Sequence, residues 1–384
     1  FHPSYAAQTF NDIRLYRCPN QALSAALDYR PLVYHVFASW RFETARAFVE
    51  QKPGPVVFDD YDVLLGSIQF QTLAEVSPAE AAAEQYCLTQ ADGLCCRSLT
   101  LQLPKRRLGY NLAPLKLFFP EYCLTAPPLR RPKRSDGIHL VFTGSVPEGR
   151  LREKQYPEWY DLEFIETLTN RGFHYHIYPS DIENFQNKYA DYLNLAQSNP
   201  RFHFSEPLPY EILLKEISQF HFGVFTMPEA APLEGDITYR ADAVNLYLPN
   251  KIFDYCDAGL PTLLYGGRFI RWFFRRVKAA RIISREQLLQ NPDILYEWAD
   301  DPTIAPDIEA ARDRLAINRH IFRLERFYNA VAQRFQRNLA APTAVAAPSV
   351  GAAATAVRCA PPAPSGLMTS VSNSQPPLYN EGPI

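Results

Sequence analysis

Short runs rich in branched and aromatic residues alternate along this chain with longer segments that read as helices. No other feature constrains the fold as strongly, because strands joined through helices must lie parallel, with helices on both faces of the sheet. In the first series, 31–38 (PLVYHVFA), 55–59 (PVVFD) and 93–96 read as strands, 42–50 and 78–87 as helices, and 115–119 as an apolar segment. In the second, 138–143, 173–178, 202–204, 220–225 and 261–264 read as strands. The helices of that series are 160–170, 182–196, 209–219, 251–257 and a long stretch over 308–337. Gly144 ends the first strand of the second series, and Gly172 closes the helix after it, where a left-handed cap is expected.

The two series are separated at 126–137 (APPLRRPKRSDG), where three prolines and four basic residues read as a solvated interdomain linker, or as a cluster that touches an anionic lipid or phosphate. The expected fold class is α/β, with two Rossmann-like domains. Residues 1–130 make the first domain and 136–338 the second. Residues 339–384 hold 11 Ala, 8 Pro and only two charges, Arg358 and Glu381, which predicts a disordered tail. In such sheets ligands bind beyond the carboxyl ends of the strands, and the cleft between the domains is the expected site.

Composition excludes several function classes. A formal charge of −2, from 39 basic and 41 acidic side chains, lacks the basic excess of a dedicated nucleic-acid binder. The seven cysteines (18, 87, 95, 96, 123, 256, 359) show no metal-type spacing and read as reduced thiols in a cytoplasmic protein. No apolar run is long enough for a membrane span, and the start of the chain carries no signal peptide.

The most informative stretch is 248–264 (LPNKIFDYCDAGLPTLL). Pro249-Asn250 opens a helix with Asn as the expected N-cap, and the free N–H groups of a helix start suit an anion. Lys251 adds a positive charge there, and Asp254, at i+3, shares its face. The set fits a grip on a diphosphate and a ribose. It fits equally an ordinary capped helix with an ion pair.

This stretch resembles the N-K-x-F-E-Y-x-A-x-G-x-P segment of GT-B glycosyltransferases of the group-one, family-four type. The likeness extends to 138–144 (IHLVFTG), 202–214 and 218–225, so that it covers 136–338 well and the first domain only weakly. The resemblance implies a GT-B fold whose terminal helices cross back to the first domain. It also implies transfer of a sugar from a nucleotide-diphosphate sugar to an acceptor hydroxyl, without a bound metal or cofactor and with retained configuration. Asp254 stands where the family has a Glu on the ribose hydroxyls, while Lys251 and the amides near Asn250 would hold the diphosphate. Arg152 and Lys154, after the Gly144 turn, are candidates to neutralise the leaving phosphate, together with Arg150. Two positions depart from the family: Leu246 replaces an earlier Glu, and Ser145 stands where an Arg is common. The family's opening strand and Gly-rich loop are expected upstream of Phe1.

In the first domain, His35 in its apolar strand and Asp59 after the next are the candidate catalytic residues. His35 would lie near the transferred sugar, and Asp59, with Asp60 and Asp62, would meet the acceptor or act as general base. The same residues also read as a core histidine and solvated loop carboxylates. His174 and His176 alternate on one face of a strand, which fits either sheet packing or a two-histidine metal pair. The segment 272–278 (WFFRRVK) reads as a packed helix or as a peripheral membrane contact for a lipid-linked acceptor. The leading expectation is therefore a glycosyltransferase of cell-surface polysaccharide or glycolipid synthesis, with a nucleotide-sugar donor and a glycan or lipid-linked acceptor, cytoplasmic or peripheral at the inner membrane face. The alternatives are a non-catalytic GT-B module that binds nucleotide or glycan, and a nucleotide-sugar epimerase.

Overall fold

A computed structural model describes residues 19–39, 41–52, 54–64, 77–124, 133–146, 162–180, 185–226 and 243–340. The expected alternation appears as two parallel sheets. The first has the order β1-β2-β3-β4, from β1 (Tyr34–Ala38), β2 (Val56–Asp60), β3 (Gly93–Cys96) and β4 (Leu115–Phe118). The second comprises β5 (His139–Gly144), β6 (His174–Pro179), β7 (Phe202–Phe204), β8 (Phe222–Thr226), β9 (Thr262–Tyr265) and β10 (Ala280–Ile282). Its order is β10-β9-β8-β5-β6-β7, with every pair parallel. This is the doubly wound Rossmann order, and the strand sequence reverses between β5 and β8.

Both faces of each sheet are covered. On one face of the first sheet Phe42, Val49, Phe58, Leu88 and Leu94 pack together. On the other, Val57, Cys95 and Leu117 meet Phe327 and Val331 of the helix Ile321–Ala340. That helix follows the second sheet in sequence, so the chain does cross back to the first. The helical stretch expected over 308–337 is two helices, Ile304–Arg314 and Ile321–Ala340, with a short 3-10 turn at Ile317–Arg319 between them.

The outward and return crossings of the chain lie side by side. Cys123 N donates to Leu315 O at 3.0 Å and Ile317 N donates to Cys123 O at 2.9 Å. Buried Asp257 locks the same point, accepting from Leu124 N at 2.9 and 3.0 Å and from Arg312 Nε at 3.1 Å.

Several expectations change. The helix expected over 182–196 is divided into Phe185–Lys188 and Ala190–Ser198. Lys133 and Arg134, at the end of the expected linker, are not free in solvent. Lys133 Nζ donates to Ser218 O at 3.1 Å, while Arg134 pairs with Glu216 at 2.9 Å and lies 5.1 Å from the Phe220 ring centroid. The five described cysteines, Cys87, Cys95, Cys96, Cys123 and Cys256, are all buried. Residues 1–18 and 341–384, with most of the expected tail, lie outside the described residues.

Candidate functional site

The carboxyl ends of β5 and β8 flank the reversal of strand order, and the helix Lys251–Asp257 begins there. Tyr255 of that helix is wedged between the two strands. Thr143 N donates to its hydroxyl at 3.0 Å, and the hydroxyl donates to Val224 O at 3.3 Å. A Cβ on Gly223 would lie 2.3 Å from the Tyr255 ring, so glycine is what lets the helix seat this closely.

Seating Tyr255 carries Lys251 over the end of β5. Its Nζ lies 3.9 Å from the Phe142 ring centroid and 3.0 Å from where a Cβ on Gly144 would stand. Gly144 has φ 116, a conformation that other residues rarely adopt. Burial pushes the Lys251 ammonium down to about 7, with Asp254 opposing the shift. Asp254 is pushed up to about 6, again by burial, against the hydrogen bond that Tyr210 donates to its Oδ1 at 2.9 Å. The expected i,i+3 ion pair is absent among the described residues: Asp254 faces Tyr210, while Lys251 faces the end of β5.

Asn250 holds the N-cap position but makes no capping bond, and its backbone is helical. The amide instead reaches the first sheet, where Arg97 Nη1 donates to its Oδ1 and its Nδ2 donates to the Tyr61 hydroxyl. Arg97 is buried, stacks 3.4 Å from the Tyr61 ring centroid, and pairs with Asp62 at 2.6 Å. Burial raises the pKa of Glu121, with Arg97 opposing the shift and Asp59 adding to it, and Glu121 in turn pushes Asp254 up. Arg97, Tyr61, Tyr210 and Glu121 thus complete the site, and sequence reading missed all four.

Of the three acidic residues of FDDYD, Asp60 is buried, while Asp59 and Asp62 are half-buried. Asp59 Oδ2 lies 3.0 Å from His35 Nε2, Asp60 is buried beside Glu84, and Asp62 holds Arg97. The two candidate catalytic residues are therefore brought together. His35 Nδ1 also lies 2.5 Å from the Tyr328 hydroxyl of the returning helix. His35 is second in β1, toward the amino end, rather than at the carboxyl end beside Arg97. Arg150, Arg152 and Lys154 lie outside the described residues. Leu246 packs against the apolar core of the first sheet, and Ser145 Oγ lies 3.3 Å from Ser180 Oγ.

Solved structures share this architecture. Sucrose-phosphate synthase from Thermosynechococcus elongatus superposes with a TM-score of 0.56 at 12% identity, over 84% of this chain and 78% of that one. A glycosyltransferase from Rickettsia africae ESF-5 gives 0.53 at 9% identity, over 84% of each chain. The chain has the GT-B fold. Another protein with the GT-B fold, Anabaena HepE in complex with UDP, matches at 0.51 and 11% identity, over 84% of this chain and 81% of that one. No family model and no curated protein matches the chain. At these identities the likeness is one of fold.

Proposed function

We propose that the chain is a glycosyltransferase that takes its sugar from a nucleotide-diphosphate sugar. The observation that carries this reading is the placement of Lys251 Nζ against the Gly144 turn, at the strand-order reversal of a GT-B fold. A cation there, beside the first amides of a helix, stabilises charge on a departing diphosphate. Asp254, one turn on and held by Tyr210, is the proposed partner of the ribose hydroxyls. Arg152 and Lys154 are proposed to add positive charge on the same side. Because this charge comes from side chains and helix amides, transfer is proposed to need no metal. Retention of configuration rests on the resemblance of the 250–261 segment alone.

On the first sheet, Asp59, next to the carboxyl end of β2, is proposed to meet the acceptor, with His35 paired to it from the amino side. His35 and Asp59 keep 28% and 19% of their side chains exposed, as a proton relay requires. The acceptor is proposed to be a glycan or a lipid-linked glycan of the cell surface. The helix Arg268–Val277 supports a peripheral contact with an anionic membrane. Arg268, Arg271, Arg275 and Arg276 surround half-exposed Trp272, while Phe273 and Phe274 face the core. No helix among the described residues is long and apolar enough to cross a membrane.

A second reading, a nucleotide-binding module without turnover, draws on Leu246 and Ser145, which place an apolar and a neutral side chain where the resemblance implies charge. The test is incubation with UDP-, GDP-, ADP- and dTDP-sugars, following release of the nucleoside diphosphate. UDP-glucose is tried first, because HepE was crystallised with UDP. Release that disappears in Lys251→Ala and Asp254→Ala supports transfer. Binding without release supports the module.

A further inference from the structure

Five of the chain's eight histidines meet at the amino end of the second sheet, the end opposite Lys251. Parallel register accounts for the meeting: His139 on β5 is paired with His174 on β6, and His176 on β6 with His203 on β7. His221, just before β8, accepts from His139 N through its Nδ1 at 3.0 Å. The rings stack, His139 on His174 and His176 on His203, each at 4.3 Å between centroids.

One carboxylate joins them. Asp136 Oδ1 lies 2.8 Å from His139 Nε2, and one ligand atom from each of Asp136, His139 and His174 falls within 4.8 Å of the others. We propose that Asp136, His139 and His174 form a binding site for a divalent transition metal of the zinc type. Two imidazoles and a carboxylate suit that class, and three protein ligands leave a fourth position for water. Asp136 is largely exposed, so the open position faces solvent. A tetrahedral zinc site holds its ligand atoms about 3.3 Å apart, so the Asp136–His139 pair, now at 2.8 Å, opens slightly and the wider pairs close by up to roughly 1.5 Å. Rotation of exposed Asp136 supplies most of that movement, and the half-buried His174 ring pivots about its Nδ1, which keeps the bond to His203 while Nε2 swings toward the ion.

The surrounding hydrogen bonds fit ligation independently. His139 Nδ1 lies 2.8 Å from His176 Nε2, and His174 Nδ1 lies 3.2 Å from His203 Nε2. When Nε2 of each ligating ring faces the metal, its Nδ1 carries the proton and donates to the next histidine. That is the outer support which fixes tautomer and orientation in metal sites. The ion would tie the entry of β5 to the start of β6. Five residues of β5 separate it from Gly144, about 16 Å at strand rise, so it takes no part in sugar transfer.

The test titrates the full chain, stripped with chelator, with Zn²⁺ by calorimetry and with Co²⁺ by visible absorption. One equivalent of Zn²⁺ is expected, together with a raised thermal midpoint and a Co²⁺ ligand-field band. Asp136→Ala, at an exposed position, and His174→Ala should each weaken Zn²⁺ binding by at least about tenfold, and His203→Gln by about tenfold. His35→Ala should leave Zn²⁺ binding unchanged. A folded wild-type chain with no saturable Zn²⁺ binding would overturn the proposal. So would Zn²⁺ affinity that is unaltered in folded Asp136→Ala and His174→Ala.

Discussion

Lys251 Nζ fills the space that a side chain at residue 144 would need, 3.0 Å from the position of a Cβ there. A strand that ends in glycine and a helix that begins with lysine are thus fitted to one another. Gly144→Ala meets both the contact and the unfavourable φ of 116. It should cost about 1–3 kcal/mol of stability and displace Lys251, weakening nucleotide binding by about tenfold or more. Thermal melting and calorimetry on the same samples check the two effects.

Lys251 gives the site a pH signature. Its ammonium is held down to about 7 from an ordinary 10.5. Between those values the unfolded chain holds the proton and the folded chain does not, so this group makes stability rise with pH across that window. A bound diphosphate reverses the shift by favouring the charged amine. Nucleotide binding at pH 8 should therefore take up a proton, and affinity should fall by up to about tenfold per pH unit above 7. Calorimetry in buffers of different ionisation enthalpy measures the uptake, which should vanish in Lys251→Met.

A second signature sits in the first sheet. Glu84 is buried beside Asp60, and burial pushes it up to about 7 and Asp60 well above its ordinary value. Here the folded chain keeps a proton that the unfolded chain has lost, so stability falls as pH rises from 4.5 to about 7. Glu84→Gln keeps an oxygen for the bond from Leu64 N, 2.6 Å in the native chain, and removes the charge. The variant should be more stable than the wild type at pH 8 by on the order of 2 kcal/mol, with the gap closing below pH 4.5. Thermal midpoints across pH decide it.

Asp257 and Arg312 form a buried pair where the chain crosses between the sheets. Asp257→Ala takes the carboxylate from buried Arg312 and the acceptor from the Leu124 N–H, and should cost about 3–5 kcal/mol. Arg312→Met with Asp257→Asn should recover part of that loss, because both charges leave together. A double-mutant cycle in denaturant unfolding measures the coupling.

What could be read from sequence follows from how local each feature is. The helix Lys251–Asp257 was legible because Pro249 and Gly259 bracket it, and the strands because their apolar runs are short and bounded. Lys251 and Gly144 lie against one another at the end of β5, and Asp254 sits one turn on in the same helix. Their partners were not legible. Tyr61, Arg97, Glu121 and Tyr210 come from four distant segments, and no spacing joins them. Asn250 looked like a cap because sequence shows the neighbouring helix and hides Arg97, which claims its side chain. The alternation of His174 and His176 was visible, whereas parallel register, which adds His139 and His203, was not.

Calorimetric titration of the full chain with UDP, GDP, ADP and dTDP, beside Asp254→Ala and Lys251→Ala, tests the donor site most directly. Saturable binding of one nucleotide by the wild type, lost or weakened at least about tenfold in both variants, is the predicted result. Nucleotide binding of equal strength in folded wild type and variants, or none in any of them, would contradict it.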